Sequence, residues 1–247
     1  MKKILQISLL LICCLGTAFA ANEDKLYQVD LIVFTHITKP ALQSEYWPNV
    51  LLKPNLTNAI ELNQVKEKTI NTSPDDNSNN QSAINSLYVL LPDNMLGLTK
   101  KIDKLQNDKG YQVILHISWQ QPIGNPKQAK WIHIYGGQAY DETGQPIQPA
   151  QPEDQTEQQI PQPTPAFWQL NGKIKIGKIK FFDIYTQFYL TMPQSTVGKE
   201  VDTKPAGNFQ PVPLQTFKLI QHQRTRANKL NYLDHPLFGA LIKISPV

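Results

Sequence analysis

The chain has 247 residues, of which 18% are charged, and its 24 lysines and arginines exceed its 20 aspartates and glutamates by only four. A nucleic-acid binder needs a strong basic excess, so this balance argues against DNA or RNA as a partner. The only two cysteines are Cys13 and Cys14, which rules out thiol catalysis or a cysteine-ligated metal in the body of the chain.

In chain order the first signal is an export leader. Lys2 and Lys3 precede an apolar run from Ile7 through Leu15, and Ala18-Phe19-Ala20 has the small-x-small pattern of a signal peptidase site, so cleavage is expected after Ala20. The run is shorter than the roughly 20 residues a spanning helix needs, and polar Asn22-Glu23-Asp24-Lys25 follows it. No stable membrane insertion is expected. Lipid attachment at Cys13 or Cys14 is the rival reading, disfavoured because large Leu11-Ile12 precede the pair. Removing twenty residues from 247 leaves 227, with 22 basic against 20 acidic groups and no thiol. In an oxidising compartment such a chain must rely on a hydrophobic core, which ~200 residues can build.

Tyr27 to Phe34 alternates at its start and becomes apolar on both faces, the pattern of a central strand. Asn63 to Asn85, with Ser73-Pro74-Asp75-Asp76-Asn77-Ser78-Asn79-Asn80-Gln81 at its centre, has almost nothing to bury and reads as a mobile loop. Asp93 or Asn94 can cap one main helix, at about residues 94–109, whose Met95, Leu98, Ile102 and Leu105 share a stripe, with Gly110 in a left-handed terminating position. Tyr111, Val113, Leu115, Ile117 and Trp119 then fall on one face of a half-buried strand, opposite Gln112, His116, Ser118 and Gln120. Trp119 is read as core.

Prolines at 146, 149, 152, 161, 163 and 165 make the insertion at about 141–165 extended rather than helical, and 193–213 is a third irregular stretch. Between these, Ile174 and Ile176 start a hairpin expected to turn at Gly177-Lys178. Gln215 to Arg226 is expected to pair with Leu230 to Leu233 across Ala227-Asn228-Lys229, and a last strand, Phe238 to Ile244, follows the break at His235-Pro236. The expected fold is α+β: one domain over 21–247, mostly antiparallel sheet built from hairpins, with one main helix and long disordered loops.

No residue pattern points to an enzyme. His36, His116, His133, His222 and His235 are scattered singly, without zinc-hydrolase spacing, and neither a Gly-x-Ser-x-Gly elbow nor a Ser-x-x-Lys pair occurs. Asp234-His235-Pro236 reads as a turn rather than an orienter and base, because adjacent strand residues face opposite ways. No cofactor and no metal are expected.

The Tyr27–Phe34 strand, the Trp47-Pro48 dipeptide, the stretch Gly110–Pro122 and the terminal Tyr232-Leu233-Asp234-His235-Pro236-Leu237-Phe238-Gly239 together resemble the CsiV family, periplasmic peptidoglycan-binding proteins of Gram-negative bacteria. The resemblance implies a non-catalytic factor that contacts the cell wall and supports peptidoglycan synthesis, through a class A penicillin-binding protein or its lipoprotein activator. An envelope adaptor acting through the 141–165 tract, or a wall hydrolase, are the alternatives. A wall ligand offers carboxylates and flat sugar faces, for which cations and aromatic rings are the matching groups. Lys173, Lys175, Lys178 and Lys180 surround Gly177, and Arg224 and Arg226 share a parity with Lys218 and His222. If the two hairpins are neighbours they form a basic patch, bordered by Trp168 and Tyr185 as stacking residues. These eight are the candidate ligand-binding residues.

Overall fold

The computed structural model describes residues 25–64, 87–148, 164–198 and 211–247. The expected leader and its cleavage lie outside the described residues, as does most of each insertion.

Two sheets enclose one hydrophobic cluster. The first contains, in spatial order, Leu230–His235 (β11), Phe238–Pro246 (β12), Lys25–Thr35 (β1), Gln112–Ile123 (β5), Val89–Leu90 (β4) and Asn63–Gln64 (β3). The second contains Leu214–Thr225 (β10), Phe182–Pro193 (β9), Phe167–Lys178 (β8), Trp131–Tyr140 (β6) and Ala59–Ile60 (β2), with Pro146–Ile147 (β7) beside β6. Among the described residues the long pairings are antiparallel, and β2 with β6 and β3 with β4 run parallel. Two helices among the described residues, Lys39–Gln43 (α1) and Thr99–Gln106 (α2), complete the α+β fold.

β1 lies between β12 and β5, and from Val29 onward it is buried on both faces, as its apolar run anticipates. Val29, Leu31 and Val33 enter the cluster with Ile174, Ile184, Phe188 and Ile242. Each such fully buried side chain contributes about 1.5–3 kcal/mol. Trp119 is fully buried as expected, its indole N–H donating to Gln121 Oε1 at 2.7 Å.

Several expected details are corrected. The helix stripe does not start at Asp93 or Asn94. Asp93–Met95 makes a separate 3-10 turn, and α2 begins only after Leu98, which takes φ +60°. Gly97-Leu98 must bend there because the chain crosses Asp30 at close range. Gly110 is not among the residues with positive φ. A bulge between β1 and β5 pairs Val33 with Leu115 but Phe34 with Val113, so parity reverses at Ile114 and Tyr111 faces outward, 5.4 Å from the Phe34 ring. β8 runs through Gly177 to Lys178, and the reversal falls on Ile179-Lys180-Phe181. Gly177 is needed for another reason: a Cβ there would lie 2.4 Å from Pro126 Cα. β10 does not pair with β11; it pairs with β9, and the chain crosses at Ala227-Asn228-Lys229 from the second sheet to the first, where β11 pairs with β12. Asn228, at φ +62°, makes the crossing.

The insertion at 141–165 is not extended throughout. Asp141 Oδ1 accepts from Thr143 N at 2.8 Å and Gln145 N at 2.9 Å, and Gly144 takes φ +81°. This turn folds Pro146–Ile147 back onto Ala139 and Tyr140, with proline first in the edge strand, where it removes no ladder bond. These bonds, led by that to the Thr143 hydroxyl, hold the Asp141 carboxyl below its ordinary pKa. The other two insertions likewise contribute Asn63–Gln64 and a 3-10 turn at Gln194–Val197.

Candidate functional site: a cationic and aromatic sheet face

Alternate residues of β6, β8, β9 and β10 point away from the cluster, and register decides which meet. Trp131 stands opposite Lys175, Lys175 opposite Tyr185, and Tyr185 opposite His222, one unbroken row across four strands. The next row toward the β8–β9 turn is Gly177, Asp183 and Arg224. Both basic hairpins therefore share one face, because β9 lies between β8 and β10.

The row is held by ring and charge contacts. Lys175 Nζ sits 5.0 Å from the Trp131 ring centroid and 4.8 Å from that of Tyr185, an ammonium between two π faces, each worth about 0.5–1 kcal/mol when exposed. Tyr185 stacks on His222 with centroids 4.2 Å apart and planes 4° apart. His222 Nε2 lies 3.0 Å from Asp183 Oδ1, and Arg224 Nε donates to the same oxygen at 3.1 Å. Burial pushes the Asp183 carboxyl up, but the hydrogen bonds from His222 and Arg224, with their charge, outweigh it and hold the pKa below the ordinary value. The Asp183 side chain is only 10% exposed, whereas Arg224 is 63% exposed. The acid is consumed within the face and the cations point to solvent. At the β8–β9 turn the Phe181 ring carries Lys180 Nζ at 5.7 Å and Arg226 Cζ at 5.3 Å.

Of the eight candidates, Lys175, Tyr185 and Arg224 thus join one row and its neighbour, and Lys180 and Arg226 flank Phe181 beyond it. Three are placed elsewhere. Lys173 shares the face but is 8% exposed, its ammonium donating to Asn55 O at 2.5 Å beneath the segment that leads into β2. It also lies 4.9 Å from the Trp131 ring centroid. Lys178 donates to Tyr27 OH at 2.5 Å and lies over the Tyr27 and Phe182 rings, on the core side. It shares the parity of Ile174 and Ile176, which is the signal that separates it from Lys175. Trp168 sits seven residues from Lys175, about 23 Å along a strand, and packs against Tyr135 at 5.2 Å rather than bordering the row. Trp131, His222 and Asp183 were not among the candidates. Trp131 was legible only as outward-facing, between inward Ile132 and a basic strand whose adjacency requires the sheet order.

His235 is a turn residue, as expected. Its Nδ1 accepts from Leu237 N at 3.1 Å, and its ring packs 5.4 Å from Trp47 and 4.7 Å from Phe238. Burial, then the nearby His36, lowers its pKa to about 4. Asp234 instead accepts from Tyr232 OH at 2.7 Å; burial first, then this bond, raises the Tyr232 pKa.

Among the described residues no group of three or more His, Cys, Asp or Glu side chains is placed to hold a metal ion, and no helix is long and apolar enough to cross a membrane. In comparison with known proteins, a family described as "Peptidoglycan-binding protein, CsiV" matches residues 4–247. No curated protein and no solved structure matches the chain.

Proposed function

The chain belongs to the CsiV family of peptidoglycan-binding proteins, and from that premise we propose that it holds peptidoglycan in the periplasm with the Trp131–Lys175–Tyr185–His222 row and Arg224, without cleaving it. The attachment supports wall synthesis, acting through a penicillin-binding synthase or that enzyme's lipoprotein activator. The observation that carries this reading is the row itself: cations fixed by rings on a sheet face, with the only acid among them already paired twice. Stem peptides end in carboxylates, which Arg224 can take in a bidentate way and Lys175 as a point charge.

Such contacts are individually weak in water, so a monomeric fragment binds modestly while a polymeric sacculus retains the protein through many sites. The test is cosedimentation of the mature chain with purified sacculi over a salt series. Retention in dilute buffer that falls as salt is raised is expected, and salt-independent retention overturns the cationic mechanism. Chromatography of sacculi after incubation should show no new fragments; their appearance overturns the non-cleaving role.

A further inference from the structure

A second feature lies along β6. Trp131, His133 and Tyr135 share its outward face, about 13 Å from first to last, and the His133, Tyr135 and Trp168 rings follow in series at 4.7 Å and 5.2 Å. Beside them is a cleft of about 220 Å³ lined by Glu61, Leu62, Leu90, Ile117, His133 and Tyr135. Its position follows from the topology. Glu61-Leu62 links β2, at one end of the second sheet, to β3, at one end of the first, so the cleft opens where the edges of both sheets are left apart.

The chemistry of its wall is divided. Leu62, Leu90 and Ile117 are only partly buried and give an apolar floor. Across it, His133 is fixed at both ring nitrogens, Nδ1 at 2.5 Å from Glu61 Oε1 and Nε2 at 2.8 Å from Asn171 Oδ1. Glu61 is thereby held in place while its side chain remains 61% exposed. Tyr135 is 43% exposed. An apolar floor, a fixed carboxylate and an exposed Tyr135 ring flanked by the partly buried His133 and Trp168 rings is an arrangement suited to a small ligand with one flat C–H face and several hydroxyls.

We propose that this cleft binds an N-acetylated hexosamine unit of a β-linked glycan, a site separate from the Lys175–Arg224 row. The pyranose face lies on Tyr135 and Trp168, a hydroxyl donates to Glu61, and the acetamide methyl rests on Leu62, Leu90 and Ile117. The proposal rests on the peptidoglycan reading and deepens it: the row takes the anionic peptide, the cleft the neutral sugar, and β6 carries one ring of the row and three residues of the cleft, His133, Ile134 and Tyr135.

The test uses tetra-N-acetylchitotetraose, which has neither peptide nor carboxylate, titrated into the full mature chain and followed by calorimetry and tryptophan fluorescence. Saturable binding that is unchanged by raised salt is expected. Tyr135→Ala and Trp168→Ala should each weaken it at least tenfold, Glu61→Gln several-fold, and Lys175→Ala not at all. Thermal melts establish that the variants fold, and Trp168→Phe, which keeps a ring, should retain binding if Trp168→Ala does not fold. Absence of saturable binding by the wild type, or equal binding by Tyr135→Ala, overturns the cleft. Loss of sacculus cosedimentation by the wild type overturns the broader reading instead, so the two failures are distinct.

Discussion

On the first sheet Asp30 points away from the core yet is 3% exposed; on the second Arg224 points away from the core and is 63% exposed. Both belong to strands with the same alternation, and what differs is what lies above them. The chain between β4 and α2 crosses the first sheet so closely that Gly97 lies directly over the Asp30 carboxylate. Beneath it Ser118 Oγ donates to Asp30 Oδ1 at 2.7 Å, Gln28 Nε2 donates to the same oxygen at 2.7 Å, and Gly97 N donates to Ser118 Oγ at 3.0 Å. A roofed polar residue is spent on its own neighbours. Among the described residues no segment roofs the Lys175 row, whereas Lys173, where the Asn55 segment passes, is covered in the same way as Asp30.

The largest effect is expected at the roof. In Gly97→Ala the new Cβ would lie 2.3 Å from Asp30 Cγ, and the carboxylate cannot retreat without giving up Ser118 and Gln28. A loss of about 3 kcal/mol is expected, roughly 6–12 °C in Tm for a domain of this size, with sacculus retention by the folded fraction unchanged. A melt within 2 °C of wild type would show that the roof is loose and the contrast between the two faces unreal.

The open face should behave in the opposite way. Removing both cations in Lys175→Ala with Arg224→Ala is expected to weaken sacculus binding about 30-fold, or ~2 kcal/mol, while Tm moves little because exposed pairs contribute about 0–1 kcal/mol. Cosedimentation isotherms beside thermal melts check both halves. A large fall in Tm with unchanged retention would make the row structural and move the binding site elsewhere.

These contrasts were only partly legible in the residues. Alternation gave the inward faces of β1 and β8 and the outward parity of Lys175 and Arg224, because period two is a local property. It also held what separates Lys178 from them, since Lys178 shares the parity of Ile174. The sheet order is not local: that β9 lies between β8 and β10, and that β10 and β11 part company at Asn228, depends on packing between distant segments. The bulge at Ile114 reversed the expected face of Tyr111 with no glycine or proline to mark it. The roof over Asp30 and the cover over Lys173 come from segments of the chain distant in sequence, so burial of those polar groups could not be read from strand pattern alone. The assignment of the row depended on all of these.

His235 offers a sharper probe of a third environment, the turn between β11 and β12, where a neutral imidazole is packed among rings. Its folded pKa is about 4 against an ordinary value of 6.5, so between these values the unfolded chain binds more protons than the folded one. Stability must therefore rise with pH across that window and fall as pH drops from 6.5 toward 4. Discounted for its partial exposure, the loss is about 1.5 kcal/mol. The stability difference between wild type and His235→Phe should be constant above pH 6.5 and shift against wild type as pH falls below it; a difference independent of pH over this range would place the imidazole in solvent.

The smallest expected effect lies at the border between the two kinds of surface. Asp183 is nearly buried within the open face, and it accepts from His222 and Arg224. Its pKa is depressed below the ordinary 3.8, so its contribution is fully present above that value and is lost as pH falls through the lower, folded one. Asp183→Asn should therefore be about 1 kcal/mol less stable than wild type at neutral pH, with the gap closing in strongly acidic buffer. The same variant removes the one negative charge of the row and leaves Arg224 unpaired, so sacculus retention should be equal to or above wild type. A drop in retention would mean that Asp183 positions Arg224 for its ligand rather than merely consuming part of its charge.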